Sequence, residues 1–473
     1  MTTTPTNLHE IPATALMQAF AKRSLSPVEV MLSLIAHIER CEPTLCATYL
    51  FRPELAIAQA KVSEARWQSG NPMGALDGVP VTIKENLATR GDPLPAGTAA
   101  VALVPAANDS PVAARLREAG AIMVSKTTMP DYGMLSSGLS TFHQLSRNPW
   151  DISKGPGGSS AGAGSAAAAG YGPLHIGTDI GGSVRLPAGW CGVYGLKPSL
   201  GRVPIDPPYV GRAAGPMTRT VADAALMMRT LAQADPRDSM GLPAQVLAWD
   251  QTDCDVAHLK GLRIGLMLDA GCGMAVDPRI TLAIQNAARL FESVGAIIEP
   301  MPAFMTTEML DGVDHFFRMR SCIDLDNLSL DARAKVLPFI REWAQSASGF
   351  TGRHVFNACA QPYHLRVAAV RACQPFDYVI SPVAPVMAFR AENASPSNDP
   401  MRALEHIGFT LPSNMSEQPA ASINCGYAVN ENGKQMPIGL QIVGKRFDDI
   451  GVLRVSSAFE KIRPPQLPWP TRF

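Results

Sequence analysis

The segment from Gly157 to Gly170 constrains this 473-residue chain more than any other. It opens with Gly157-Gly158-Ser159-Ser160 and continues as Ala161-Gly162-Ala163-Gly164-Ser165-Ala166-Ala167-Ala168-Ala169. A helix built of such small side chains gains burial only where neighbouring backbone approaches very closely. The run from about Ser160 to Gly170 therefore predicts a tightly packed, buried helix. A turn at Pro173 and a short strand, Leu174-His175-Ile176-Gly177-Thr178, follow. That strand leads at once into a second glycine-rich turn, Asp179-Ile180-Gly181-Gly182-Ser183-Val184-Arg185. Ser159 and Ser183 thus lie in two glycine turns 24 positions apart, and Lys84 ends an apolar run 75 positions before Ser159.

Glycine turns let successive amide N–H groups face one point, where they can hold a developing negative charge. A serine on such a turn is placed to attack a carbonyl. Ser183 with the N–H groups of Ile180, Gly181, Gly182 and Ser183 itself has that form; a turn whose serine only bonds locally is the blander alternative. Ser159 and Ser160 begin the small-residue helix, where a serine is most often an N-cap. Either hydroxyl can instead pass protons between a base and the nucleophile, and spacing does not choose between them. Gly78-Val79-Pro80-Val81-Thr82-Ile83 is apolar enough to bury Lys84, and desolvation favours the neutral amine needed in a general base. Lys126 ends a similar run, Ala121-Ile122-Met123-Val124-Ser125, so both lysines are candidates. Gly158-Ser159-Ser160-Ala161-Gly162 has the spacing of a hydrolase nucleophile elbow but lacks the strand that must precede it. Gly162 to Ala167 echoes a dinucleotide fingerprint but lies inside a helix.

Elsewhere the pattern alternates. Ser26-Pro27-Val28-Glu29 is a capping box with proline at the first helical position, followed by an apolar stripe of Val30, Leu34, Ile35 and Ile38. A second helix is expected from Pro53 to Gln68, stopping at Gly70-Asn71-Pro72. Strands are expected at 79–84, 121–126, 174–178, 262–268, 296–299, 378–381, 421–425 and 438–443, with helices opening at Ser110-Pro111 and Asp277-Pro278. Strands interleaved with helices imply an α/β protein with a largely covered sheet. The polar stretch from Asp235 to Asp255 is the best internal boundary, or else a surface loop.

Composition narrows the partners. The 41 basic and 41 acidic residues cancel, which gives no electrostatic reason to expect nucleic acid or a membrane surface. Nine cysteines without a Cys-x-x-Cys pair argue against a structural zinc site and a disulfide framework. Met1 to Asn7 shows no leader pattern, and no apolar run is long enough to span a bilayer. A soluble, cytoplasmic protein is the expectation.

Several motifs together resemble the amidase signature family. They are Gly78 to Asn86, Arg147-Asn148-Pro149-Trp150-Asp151, the two serine turns, Cys191-Gly192-Val193-Tyr194-Gly195-Leu196-Lys197-Pro198, Gln418-Pro419-Ala420-Ala421, and Pro437 to Gly444. The resemblance covers nearly the whole chain. It implies a large mixed, twisted β-sheet with helices on both faces, in one domain spanning 1–473. That domain divides into a helical segment (1–70), a signature core (71–235) and a C-terminal part of the same sheet (256–473) that shapes the substrate pocket.

The resemblance also implies roles: Lys84 as base, Ser159 as bridging serine on a cis peptide, Ser183 as nucleophile, and Lys126 as noncatalytic. Ile180, Gly181, Gly182 and Ser183 would form the oxyanion hole, Thr178, Asp179 and Arg185 its support, and Gly133 and Met134 part of the substrate site. No metal or cofactor is implied. The expected reaction is hydrolysis of an amide or carbamate C–N bond in a small substrate through an acyl-enzyme. The alternative is the ammonia-releasing component of an amidotransferase, which takes ammonia from glutamine for a partner complex. A homodimer is left open. Ala161-Gly162 and Thr128 depart from the usual family residues and are expected to touch the pocket wall at most. Met305, Met309, Phe316, Phe317 and Met319 are candidate apolar walls, or else core residues of their helix.

Overall fold

The computed structural model describes residues 7–471 and 473. The expectation that the chain starts without a leader pattern falls on residues 1–7, which lie outside the described residues except for Asn7. Among the described residues eleven strands form one sheet. They are β1 (Thr48–Tyr49), β2 (Pro80–Lys84), β3 (Ile122–Thr127), β4 (Leu174–Asp179), β5 (Tyr194–Lys197), β6 (Ala213–Thr218), β7 (Arg263–Leu266), β8 (Ile297–Pro300), β9 (Tyr378–Pro382), β10 (Ala420–Val429) and β11 (Gln435–Val443). Their order is β1-β3-β2-β4-β6-β5-β10-β11-β9-β7-β8. β2 runs parallel to β3 and β4, and β7 parallel to β8 and β9. The central pairs from β4 through β6, β5, β10 and β11 to β9 are antiparallel. The sheet is therefore mixed, as the family resemblance implies, and strands on both sides of the 235–255 stretch belong to it.

Alternation along the strands sorts side chains to two covered faces. Val81, Ile83, Leu174, Ile176, Leu196, Ile423 and Leu440 join one core with the helices Val221–Leu231, Pro278–Ser293 and Asp449–Ile462. The other face carries the short helices Ala161–Ala169 and Arg185–Cys191, which press onto it where side chains are missing. A Cβ on Gly195 would lie 2.6 Å from the Ala188 methyl, and one on Gly439 2.7 Å from the Gly189 backbone. Beyond this layer the helices Thr307–Asp326, Pro338–Gln345 and Gly352–Cys373 build a second apolar cluster around Val313, Phe317, Ile340, Trp343 and Leu365. Among the described residues no helix is long and apolar enough to cross a membrane.

The small-residue helix forms at Ala161–Ala169, and every one of its residues is buried. A Cβ at Gly162 would stand 2.1 Å from the Ala47 carbonyl oxygen and 2.5 Å from the Thr128 amide. Gly162→Ala is accordingly expected to lower the stability to urea unfolding by about 1–3 kcal/mol or more, through overpacking against backbone that has no room to yield.

The local signals at the first two long helices are realised. Ser26 accepts from the Val28 amide while Glu29 accepts from the Ser26 amide, opening the helix Pro27–Leu45. The next helix, Pro53–Ser69, ends at Gly70 with φ +75°. Three strands escape the sequence pattern: β1, β5 and β6. Ala213-Ala214-Gly215-Pro216-Met217-Thr218 carries a glycine and a proline, residues depleted in strand interiors. It nevertheless occupies the middle of the sheet, between β4 and β5. Gly215 allows this, because a Cβ there would fall 1.9 Å from the Leu196 carbonyl oxygen.

Candidate active site

The site begins at the end of β2. Val81 and Ile83 face the large core, so Thr82 and Lys84 face the small-residue helix. Ile83 pairs with Ile176 of β4, which sets Lys84 beside Gly177. A side chain at Gly177 would meet the Ser160 hydroxyl at 2.5 Å, so the glycine opens the space the serines fill. Lys84 is 0% exposed. Its Nζ donates to Ser159 Oγ at 2.8 Å and to Ser160 Oγ at 3.1 Å. Burial, and secondly the Arg212 charge, push Lys84 down from the usual lysine value to about 7, against the opposing pull of Asp179 and Glu85. A neutral amine is thus accessible near neutral pH.

Lys126 behaves differently. It pairs with Ile83 rather than Lys84 in the β2–β3 register, which turns it to the opposite face. There it donates to the Leu87 carbonyl at 2.8 Å and to Thr89 Oγ1 at 2.9 Å. Burial also lowers its pKa, to about 8, but its ammonium holds a loop and reaches neither serine turn.

The two adjacent serines have separate surroundings. The Gly158–Ser159 peptide is cis. Ser160 precedes the helix Ala161–Ala169 without capping it through its side chain. Its hydroxyl instead accepts from the Thr178 amide and donates to the Thr178 carbonyl, each at 3.2 Å. The Ser160 amide donates to the Ser183 carbonyl at 3.2 Å, which ties the two turns together.

The second turn winds around a buried carboxylate. Asp179 accepts from the Gly182 amide at 2.7 Å and from the Val184 amide at 3.1 Å. Arg185 grips it with two N–H groups, Nε to Oδ2 at 3.0 Å and Nη2 to Oδ1 at 2.9 Å. The remaining donors of Arg185 reach Thr410 O, Ser413 Oγ, Gln441 Oε1 and Asn414 Oδ1. Burial works to raise the Asp179 pKa, but the charges of Arg185 and Lys197 and the Arg185 and Asn414 hydrogen bonds hold it well below the usual carboxylate range. A fully bonded pair of this kind fixes a turn, whereas a single partner would be a costly buried charge. Gly182 adopts φ +127°, and a Cβ there would lie 2.5 Å from Thr410 Oγ1.

Of the four amides expected to line the oxyanion hole, that of Gly182 is engaged by Asp179. The N–H groups of Ile180, Gly181 and Ser183 have no acceptor among the described residues.

Ser159, Thr178, Asp179, Ile180 and Ser183 share a cavity of about 500 Å³ with Gly133 and Met134. Asn86 also lines it and donates to Thr178 Oγ1 at 3.1 Å. Ser160 is outside the lining, as are Thr128, Ala161 and Gly162, so the departures from the family pattern leave the wall untouched. The five apolar candidates of the helix Thr307–Asp326 and its approach are also outside it. Met305 and Phe317 are buried in the helical cluster, and Met309 and Phe316 pack against it. The cavity receives another face of that helix: Arg320, Ser321, Asp324 and Leu325. The i, i+1, i+4 and i+5 spacing of these residues was the available signal. Tyr132, Tyr209 and Arg212 also line the wall from turns without periodic pattern, and no sequence signal marks them.

A family model for amidases matches residues 29–453, which makes this an enzyme chain of the class that acts on carbon–nitrogen bonds. It belongs to the amidase signature family. Among curated relatives, the A component of the glutamyl-tRNA(Gln) amidotransferase of Chloroflexus aurantiacus is 31% identical, over 97% of each chain. Among solved structures, a bacterial aryl acylamidase of the amidase signature enzymes superposes with a TM-score of 0.85 at 28% identity, over 96% of each chain. Fatty acid amide hydrolase shares the fold at 20% identity and a TM-score of 0.84, over 97% of this chain and 86% of its own.

Proposed function

We propose that this chain is a serine hydrolase that cleaves the C–N bond of a small amide or carbamate through an acyl-enzyme. Neutral Lys84 takes a proton from Ser159, which takes one from Ser183 as Ser183 Oγ attacks the carbonyl carbon. The amides of Ile180, Gly181 and Ser183 stabilise the oxyanion. The proton returns through Ser159 to the leaving amine, and water then releases the acyl group. The observation that carries this reading is the 2.8 Å hydrogen bond from fully buried Lys84 to Ser159, the serine that shares the cavity with Ser183. Ser160 also contacts Lys84, but it is bonded to Thr178 and lies outside the cavity.

A panel of aryl and alkyl amides, carbamates and esters, incubated with the purified chain, tests the proposal. Release of amine from at least one amide or carbamate is expected, together with fluorophosphonate labelling of Ser183. Because the lysine acts as its neutral form, kcat/KM should rise with pH on the acidic side with an apparent pKa of about 7. A flat profile from pH 5.5 to 8.5 would count against Lys84 as the base.

The full-length likeness to the amidotransferase component favours one second reading, release of ammonia from glutamine for a partner complex. Under it the isolated chain would hydrolyse no simple amide and would need glutamine and its partner chains.

A further inference from the structure

Two guanidinium groups line the cavity without a carboxylate to neutralise them. Arg212 and Arg320 share it with Ser183, and neither makes a salt bridge among the described residues. Arg212 has one protein hydrogen bond, from Nη1 to the Pro207 carbonyl at 3.2 Å. Arg320 Nη2 reaches only the Met134 thioether, at 2.9 Å, and its Nε is buried with no acceptor. The Arg320 guanidinium lies over the Tyr209 ring at 5.1 Å and the Phe317 ring at 5.3 Å.

Both arginines are half-buried, and a guanidinium held this way with no carboxylate on it is an unused planar fork of donors. The two charges also oppose each other: burial, then the nearby Arg320, lower the Arg212 pKa, against a smaller opposing pull from Asp206, which makes no salt bridge to it. A small anion between them would answer both charges. Carboxylate fits best, because it accepts two parallel N–H bonds from a guanidinium and the aromatic stacking fixes the plane of the Arg320 fork. The other carboxylates of the lining do not do this. Asp179 is taken by Arg185, and Asp324 is exposed to solvent, where its charge is screened. Leu94, Met129, Leu325 and Ile340 offer an apolar wall for the rest of the molecule.

We infer that the substrate of this site carries a carboxylate, received by Arg212 and Arg320, in addition to the bond that is cleaved. This rests on the amidase reading above and names the substrate class of that same site.

Calorimetric binding to the purified Ser183→Ala chain tests it without turnover. The probes are matched charged and neutral pairs: succinamate with butyramide, glutaramate with pentanamide, adipamate with hexanamide, and 4-acetamidobenzoate with acetanilide. In at least one pair the carboxylate should bind about 10-fold tighter or better, the scale of one or two charge-assisted hydrogen bonds. In the same background Arg320→Gln and Arg212→Gln should each shrink that ratio. Arg320→Lys, which keeps the charge but not the fork, should retain part of it. Equal or weaker binding of the carboxylate in every pair overturns the inference, and so does a preference unchanged in both glutamine variants. A wild-type chain that cleaves no amide would overturn the amidase reading instead, so the two failures are told apart.

Discussion

Ser183→Ala is expected to abolish amide turnover, lowering kcat on the order of 10⁶-fold, the scale seen when the nucleophile of a serine hydrolase is removed. The loss should be chemical and not structural. Ser183 is half-buried at the cavity wall, and its turn is held by Asp179, Arg185 and the Ser160 amide, none of which bonds the Ser183 hydroxyl. Stability to urea should therefore change by no more than about 0.5 kcal/mol. Steady-state assay of the best substrate, with an unfolding curve on the same preparation, reads both numbers. A variant that keeps even a tenth of wild-type kcat would rule Ser183 out as the nucleophile.

Lys84→Met should be the second largest loss, about 10²–10⁴-fold in kcat, the usual contribution of a positioned general base. It replaces a fully buried amine by an apolar chain of similar length. The Ser159 hydroxyl then loses its 2.8 Å partner, while Ser160 keeps its two bonds to Thr178. The acidic limb near pH 7 should vanish with the lysine. In the Ser183→Ala background the same change should cost almost nothing further, because groups that act as one unit are not additive. Lys126→Met leaves the serine hydroxyls alone, so the contrast between the lysines is chemical as well as positional.

Much of this site was legible along the chain, for local reasons. A helix of alanine and glycine between two glycine turns must be buried against close backbone, and it is. A strand ending in lysine after an apolar run must bury that lysine's stem. The Ser26 capping box and the Gly70 stop act within a few residues of themselves, so sequence places them well. Strands β5 and β6 were not legible, because Gly195, Gly215 and Pro216 interrupt the strand signal and such segments become strands only where neighbours leave a slot. The helix Thr307–Asp326 shows the same limit. Its large apolar residues advertise a face, but hydrophobicity does not say whether that face meets a cavity or a core.

The sequence by itself determined the chemistry on offer: a buried lysine, two serine turns and an acid–arginine pair six positions apart. Tertiary structure decided which of these meet. Register between β2, β3 and β4 turns Lys84 toward the serines and Lys126 away, a difference of one residue that flips a side chain across the sheet. Contact with the cavity separates Ser159 from its neighbour Ser160. The Asp179 carboxylate engages one of four equivalent-looking amides and leaves three facing no protein acceptor. Arg212 and Arg320, 108 positions apart, become a pair only because a loop and a distant helix close over the same space. Spacing fixes what a strand or turn does to its own residues; only packing fixes what distant residues do to one another.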